Sequence, residues 1–151
     1  MELVGINEKH SFSFSLQRCL SAYLWAHAKT PNCQQTSRTD KLITFEIKKD
    51  LPALVAPILG KSILISEETV ITPTEILSTS TGSVANTKFT SIMTFTGDDT
   101  QSSVQIQVLV DGIGSGNELY YQGINTFILS EINQWCNQLP SHLAAFELST
   151  N

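Results

Sequence analysis

The clearest change in the spacing of hydrophobic residues occurs late in the chain. Val104, Ile106, Val108 and Val110 alternate with mostly polar residues, which is the period of a β-strand. After residues 112–116, a glycine-rich hinge, apolar residues recur at helical spacing on a single face: Ile124, Phe127, Ile128, Ile132, Trp135, Cys136, Leu139, Leu143 and Phe146. A helix with so wide an apolar stripe needs an apolar surface to lie on, and the preceding strands are the obvious candidate.

The first part of the chain alternates between strands and helices. Alternating apolar and polar residues predict strands over 10–15 and 41–48. Helical spacing predicts a helix over 16–29 with Ser15 as its N-cap. The polar residues 30–40, which include a proline, predict a loop.

A second, shorter helix is expected after Asp50, which is a good N-cap. Pro57 should shorten or kink this helix, and Gly60 should end it. Four strands follow, over residues 62–71, 74–81, 87–96 and 101–111. Because short loops join them, they predict an antiparallel sheet.

Composition and charge exclude some classes of partner. The chain has 151 residues, of which 41% are hydrophobic and only 15% charged, with a net charge of −5 and a pI near 5.0. This balance argues against nucleic acid as a partner and leaves at most transient membrane contact through an apolar patch. No leader pattern or membrane span is evident, and three scattered cysteines favour a reducing, cytoplasmic setting.

The order of elements resembles the helix-grip fold of the START-like superfamily (SRPBCC, the birch-pollen-allergen class). The fold class is therefore expected to be α+β, with a curved antiparallel sheet wrapped around a long C-terminal helix and two short helices near the N-terminal half. The likeness covers residues 9–147 of a single domain, 1–151. Residues 50–55, 59–60, 66–69 and 114–118 are similar to segments of an uncharacterised bacterial START-like branch.

The resemblance implies a cavity between the sheet and the terminal helix that holds a lipid, a sterol or another apolar small molecule. Some members of the superfamily carry out cyclase or dehydratase chemistry there, and others are co-chaperones or adaptors. No cofactor is implied.

Residues from the helix and from the sheet are candidates for lining such a cavity. The helix would contribute four residues: Phe127, Ile128, Glu131 and Trp135. The strands would contribute five: Phe45, Leu77, Phe89, Ser91 and Met93. Apolar area with a few hydroxyls suits a small-molecule pocket, although the same residues could simply form core and backbone contacts.

Ionisable residues offer less. Glu67 and Glu68 must point to opposite faces of their strand, so one of them faces the interior as a candidate general acid with a raised pKa, or pairs with Lys or Arg at the rim. His27 is interpreted as a cation near a helix end, and Cys33 as a loop thiol that could react. No histidine pair at helical spacing predicts a metal site.

Three functional hypotheses follow. The first is non-enzymatic binding or transfer of a lipid or other apolar small molecule. The second is a cyclase, dehydratase or hydrolase in the same cavity, with Glu67, Glu68 and Glu131 as the carboxylates to test. The third is an adaptor that binds a protein partner through its outer surface.

Overall fold

A long helix and an antiparallel sheet dominate the computed structural model, which describes residues 2–3, 7–51, 53, 56–84, 87–112 and 118–150. The strands in this part of the chain are β1 (Glu2–Leu3), β2 (Asn7–Phe12), β3 (Cys33–Arg38), β4 (Leu42–Asp50), β5 (Ser62–Ile71), β6 (Glu75–Val84), β7 (Thr87–Gly97) and β8 (Ser102–Gly112). The helices are α1 (Leu16–Lys29), α2 (Ala56–Leu59) and α3 (Glu118–Ser149). The strand order is β1-β8-β7-β6-β5-β4-β3, and β2 also pairs with β8.

The architecture confirms the predicted α+β helix-grip class. All strand pairs are antiparallel, and α3 packs on α1 and β8. The four-strand run from β5 to β8 is present, with β5 matching its predicted bounds. Outside the described residues lie 113–117, which include most of the hinge predicted at 112–116, and positions 52, 54 and 55 of the predicted second helix.

Helix α1 has its predicted bounds because its ends are well specified. The Ser15 side chain accepts a hydrogen bond from the Arg18 backbone N–H at 3.1 Å, as an N-cap does. At the other end, the Thr30 hydroxyl donates to the carbonyl of Ala26 at 2.7 Å. Helix α1 is therefore held at both ends, and it presents Tyr23 and His27 to the sheet.

The prediction of a loop over residues 30–40 is wrong, because strand β3 forms within this range. Its residues are polar and mostly exposed, so they carry no hydrophobic alternation. Asn32 adopts a positive φ of 59°, which turns the chain back along β4. The pairing register shifts between Gln35 and Ser37, a β-bulge that leaves Thr36 as the extra residue.

Two other predicted elements are displaced. The first strand covers 7–12 rather than 10–15, since the chain bends before α1. Asp50 ends β4 instead of capping a helix, and α2 is a single turn that begins at Ala56. Gly60 follows α2 with a φ of +94°, a conformation that glycine adopts without strain.

The inward face of the sheet carries the core. Alternation places Ile43, Thr69, Ser78, Met93 and Ile106 in one cross-strand row. The next row joins Phe45, Glu67, Ser80, Ser91 and Val108. All ten side chains are buried, so two rows that are hydrophobic at their ends carry polar residues at their centre.

Helix α3 covers this face with its apolar stripe. Cys136, Leu139 and Leu143 are buried, whereas Phe127 and Trp135 are half-buried. The side chain of the predicted stripe residue at position 124 lies outside the described part. In the described part of the chain, no helix combines the length and the hydrophobicity that crossing a bilayer requires.

Candidate functional site: a cavity beside a buried polar cluster

A cavity of about 190 Å³ lies between the sheet and α3. Its sheet side comprises Cys33, Ile47, Lys49, Ile65, Glu67, Ser80, Phe89, Ser91 and Met93. Its other walls comprise His27, Thr30, Ile128, Glu131, Ile132 and Trp135. Most of the lining surface is apolar, and three of its polar residues, Glu67, Ser80 and Ser91, lie side by side in one cross-strand row.

Glu67 is the charged group at the centre of those rows. Its side chain is 5% exposed, and its carboxylate accepts from three side chains. Oε2 accepts from the Tyr23 hydroxyl at 2.6 Å and from Nε2 of His27. Oε1 accepts from the Ser80 hydroxyl at 2.7 Å. A buried carboxylate is therefore supplied with donors from α1 and from the neighbouring strand.

The Tyr23 hydroxyl extends this cluster. Its single proton goes to Glu67, so its oxygen accepts from Thr69 at 2.7 Å and from Ser78 at 3.0 Å. The tyrosine ring also packs edge-on against Phe95 and Trp135. Burial first, and then the charge of Glu67, raises the pKa of Tyr23 well above its ordinary value, so the phenol stays neutral.

Both ring nitrogens of His27 are engaged. Nδ1 lies 2.8 Å from the carbonyl oxygen of Tyr23, which can only accept, so Nδ1 carries a proton. Nε2 faces the Glu67 carboxylate. With Glu67 ionised, Nε2 also donates, and His27 is an imidazolium paired with the carboxylate.

The pKa of Glu67 is lowered rather than raised. Burial alone would raise it, but the hydrogen bond and charge of His27, together with the Tyr23 and Ser80 hydroxyls, outweigh burial. Of the two glutamates, Glu67 is the one that faces inward, as expected of one of them. The expected rise of its pKa is wrong, because its carboxylate pairs with His27. The alternative expectation, that the inward glutamate pairs with Lys or Arg at the rim, is also wrong, because its partner is a buried histidine. His27 was expected only as a cation near the end of α1, and it is in addition the partner of Glu67.

An ion pair lies where the cavity approaches solvent. Lys49 Nζ on β4 contacts Glu131 Oε2 on α3, with about a third of each side chain exposed (38% and 36%). Both residues line the cavity. The pair therefore links the sheet to the terminal helix beside the opening.

The cysteines are poor nucleophiles here. Cys33 lies on β3, not in a loop, and lines the cavity; burial and then the charge of Glu67 raise its pKa to about 11. Burial raises the pKa values of Cys19 and Cys136 to about 12. A thiol with such a pKa is almost entirely protonated near neutral pH, which overturns the expectation of a reactive Cys33.

Six of the nine residues predicted to contact a ligand line the cavity: Phe89, Ser91, Met93, Ile128, Glu131 and Trp135. Phe45 is buried behind the His27 ring, 4.5 Å away between centroids, and lines a neighbouring cavity of about 150 Å³. Phe127 is half-buried outside the lining. Ligand contact by these residues stays a prediction.

Leu77 requires a correction of orientation. Ile76, Ser78 and Ser80 on β6 are buried, so Leu77 lies on the outer face of the sheet. There it pairs with Val70, which is 37% exposed. Leu77 was expected on the inward face together with Thr79 and Thr81, but alternation along β6 gives that face to Ile76, Ser78 and Ser80. The Ser78 and Ser80 hydroxyls bond there to Tyr23 and Glu67.

Two lining residues that sequence reasoning missed are Ser80 and Lys49, whereas Ile132 was placed on the apolar stripe but not among the residues expected to contact a ligand. Ser80 could have been found from register, because it pairs with both Glu67 and Ser91. The contact of Lys49 with α3 joins positions 82 residues apart and had no local signal. In the described part of the chain, no three His, Cys, Asp or Glu side chains are grouped to hold a metal ion.

The chain matches no family model and no curated protein. Among solved structures it is similar to Ara h 8.0201, a Bet v 1-like allergen, at 11% identity and a TM-score of 0.57, over 99% of each chain. It is also similar to a START superfamily protein from Mycobacterium smegmatis, at 10% identity and 0.56, over 92% of this chain and 99% of that one.

A conserved protein from Geobacillus kaustophilus is a further similar structure, at 10% identity and a TM-score of 0.55, over 95% of this chain and 96% of that one. Identities this low show a shared fold and nothing finer.

Proposed function

Because the chain has a START-like fold, we propose that it binds or transfers an apolar small molecule, such as a lipid component, in the cavity under α3. The observation that carries this proposal is an apolar cavity of about 190 Å³ between the sheet and the terminal helix. An engineered cavity of roughly 150 Å³ is enough to bind benzene, so this one is large enough for a single substituted ring. Transfer of apolar surface from water into the cavity supplies the free energy of binding.

The lining supports a binding role. Phe89, Met93 and Trp135 offer aromatic and thioether surface, and Ile128 and Ile132 close the helix side. An empty cavity costs roughly 24 cal/mol per Å³, so a chain that keeps one bears a stability penalty that an occupant removes. We also propose a reducing, cytoplasmic location, which the free thiols of Cys19, Cys33 and Cys136 support.

Catalysis in the same cavity is the second candidate, and one observation favours it. Glu67 and His27 are ionisable groups that line an apolar cavity. However, both nitrogens of His27 are engaged, and Oε2 of Glu67 already accepts two hydrogen bonds. His27 therefore has no free ring nitrogen with which to exchange a proton with a substrate, so binding is the function that the geometry supports better.

The test is binding of p-xylene, followed by NMR amide shifts. We expect saturable shifts at residues of β7 and α3 that line the cavity. Ser91→Leu, which fills the cavity from β7, should abolish binding and preserve or raise stability. The matched control is Thr90→Leu, on the outer face of the same strand, which should bind normally. Absence of any saturable shift in the unsubstituted protein would contradict the proposal.

A further inference from the structure

The floor of the cavity contains a hydroxyl, that of Ser91, with no hydrogen-bond partner among the described residues. Ser91 is 6% exposed and lines the cavity, yet its side chain makes no hydrogen bond within the described part of the chain. Hydroxyls so deeply buried are almost always paired with protein, water or a ligand. The Ser91 hydroxyl can both donate and accept, so it can bind a polar group that enters the cavity.

The neighbours of Ser91 decide which polar group fits. Ser91 is directly opposite Ser80, which in turn is opposite Glu67. Ser80 gives its only proton to Glu67, so its oxygen is left with accepting capacity. Within the part of the chain that the structure describes, Oε1 of Glu67 accepts that one bond alone. The floor is therefore rich in acceptors, and a group that brings its own proton matches it.

The charge on the floor excludes another class. A carboxylate head would place its negative charge beside Glu67 and would bring no proton to Ser80. The cation nearest to that floor, His27, already uses both nitrogens. Lys49 at the opening is already paired with Glu131. A neutral hydroxyl satisfies Ser91 and Ser80 without adding charge.

We infer that the ligand of this cavity is a compact neutral alcohol or phenol, bound with its hydroxyl on the Ser91–Ser80 floor and its hydrocarbon body against Phe89, Met93 and Trp135. This inference rests on the proposed binding function and names its ligand class. A ligand hydroxyl supplies Ser91 with a hydrogen-bond partner, whereas a methyl group at the same place leaves the buried serine hydroxyl unpaired. Discrimination by a buried polar group is large, because the wrong ligand leaves that group unpaired.

The test compares p-cresol with p-xylene, which differ by one hydroxyl in place of one methyl group. We expect p-cresol to bind about tenfold more tightly, as one buried hydrogen bond implies. Ser91→Ala should reduce that preference by about fivefold, mainly by weakening p-cresol. Ser66→Ala, an exposed serine on the outer face of β5, is the matched control and should keep the preference.

Different outcomes separate the two proposals. If p-xylene binds as tightly as p-cresol, the inference about the hydroxyl fails and the binding function stands. If neither compound binds, both fail. The anion p-toluate is the third probe. Tighter binding of p-toluate than of p-cresol would contradict the inference that the cavity floor offers mainly acceptors and excludes a carboxylate. The comparison on the unsubstituted protein needs no variant, so it holds even if Ser91→Ala folds poorly.

Discussion

The imidazole of His27 on α1 contacts the carboxylate of Glu67 on β5, and the two side chains are only 7% and 5% exposed. This contact joins the first helix to the centre of the sheet across 40 residues of sequence. A buried pair of this kind adds little over an apolar pair, but removal of one partner strands the other charge. The Glu67–His27 pair should therefore dominate the response of the fold to mutation and to acid.

Glu67→Gln should destabilise the protein by about 1–3 kcal/mol at neutral pH, because Tyr23, His27 and Ser80 all lose a charged hydrogen-bond acceptor. Glu68→Gln, the exposed neighbour on the outer face, should change stability by less than about 0.5 kcal/mol. Urea denaturation of both variants gives the measurement. Equal losses for the two variants would contradict the role of the buried pair.

Acid should weaken the fold through Glu67. Its pKa is lower in the folded chain than its usual value of 4.5, so the unfolded chain binds the proton more readily. The stabilisation is therefore fully present above that usual value and is lost as the pH falls through the folded pKa. Glu67→Gln should make the urea midpoint fall less steeply with decreasing pH; an unchanged slope would assign the effect to other carboxylates.

A smaller pH dependence of the urea midpoint should remain in the Glu67→Gln variant because of Asp98. The pKa of Asp98 is lowered by hydrogen bonds from the backbone and side chain of Thr100 and from the backbone of Gln101.

Tyr23→Phe should cost about 1–3 kcal/mol, because Glu67, Thr69 and Ser78 all lose a hydrogen bond to the phenol. Ser78→Ala serves for a double-mutant cycle. Since both changes act on one network, the double variant should lose less than the sum, with a coupling of about 0.5–3 kcal/mol. Additive losses would show that the cluster consists of independent bonds.

Lys49→Met should speed escape of bound p-xylene and barely affect stability. The Lys49–Glu131 pair is about one-third exposed, so it contributes less than about 1 kcal/mol, and added salt should reduce that further. We expect dissociation to accelerate by up to about fivefold, measured by NMR exchange. Arg18→Met is the control: its pair with Glu147 at 2.5 Å also joins α3 to the rest of the chain but lies away from the cavity. The same acceleration in both variants would contradict a specific role for Lys49.

Cysteine labelling should report on the cavity. Cys33 is half-buried, whereas Cys19 and Cys136 are fully buried, so Cys33 should react first, and slowly, because its pKa is raised to about 11. Saturation with p-xylene should slow that first reaction further, since Cys33 lines the cavity. Mass spectrometry after timed alkylation at pH 8 gives the order, and Cys33→Ser should remove the first step. Earlier modification of Cys136 would contradict the described burial.

The sheet and α3 could be predicted because their residues repeat with a regular period. Val104, Ile106, Val108 and Val110 of β8 alternate with mostly polar residues, and the stripe through Leu139 and Leu143 continues for several turns. Strand β3 could not be predicted, because an exposed edge strand needs no apolar face and the polar residues Gln34, Gln35 and Thr36 are equally typical of a loop. Tertiary pairing, not local sequence, makes it a strand.

The chemistry of the site was less predictable than its location. Alternation required that Glu67 or Glu68 face inward, but nothing local indicated which one. The choice depends on His27 and Tyr23, which α1 places against β5 only in the folded chain. The same dependence explains the wrong sign of the expected pKa shift of Glu67, since burial was foreseeable and its counterion was not.

The bulge at Thr36 has a consequence for how copies of this protein meet. A regular outermost strand exposes backbone N–H and C=O groups that can recruit a strand from another molecule and begin aggregation. β3 ends the strand order, but its extra residue breaks the spacing of those groups, and the hydroxyls of Thr36 and Ser37 bond back to Thr44 at 2.6 Å each. A neighbouring chain therefore finds no continuous template along β3, and growth of the sheet between molecules is disfavoured at this end.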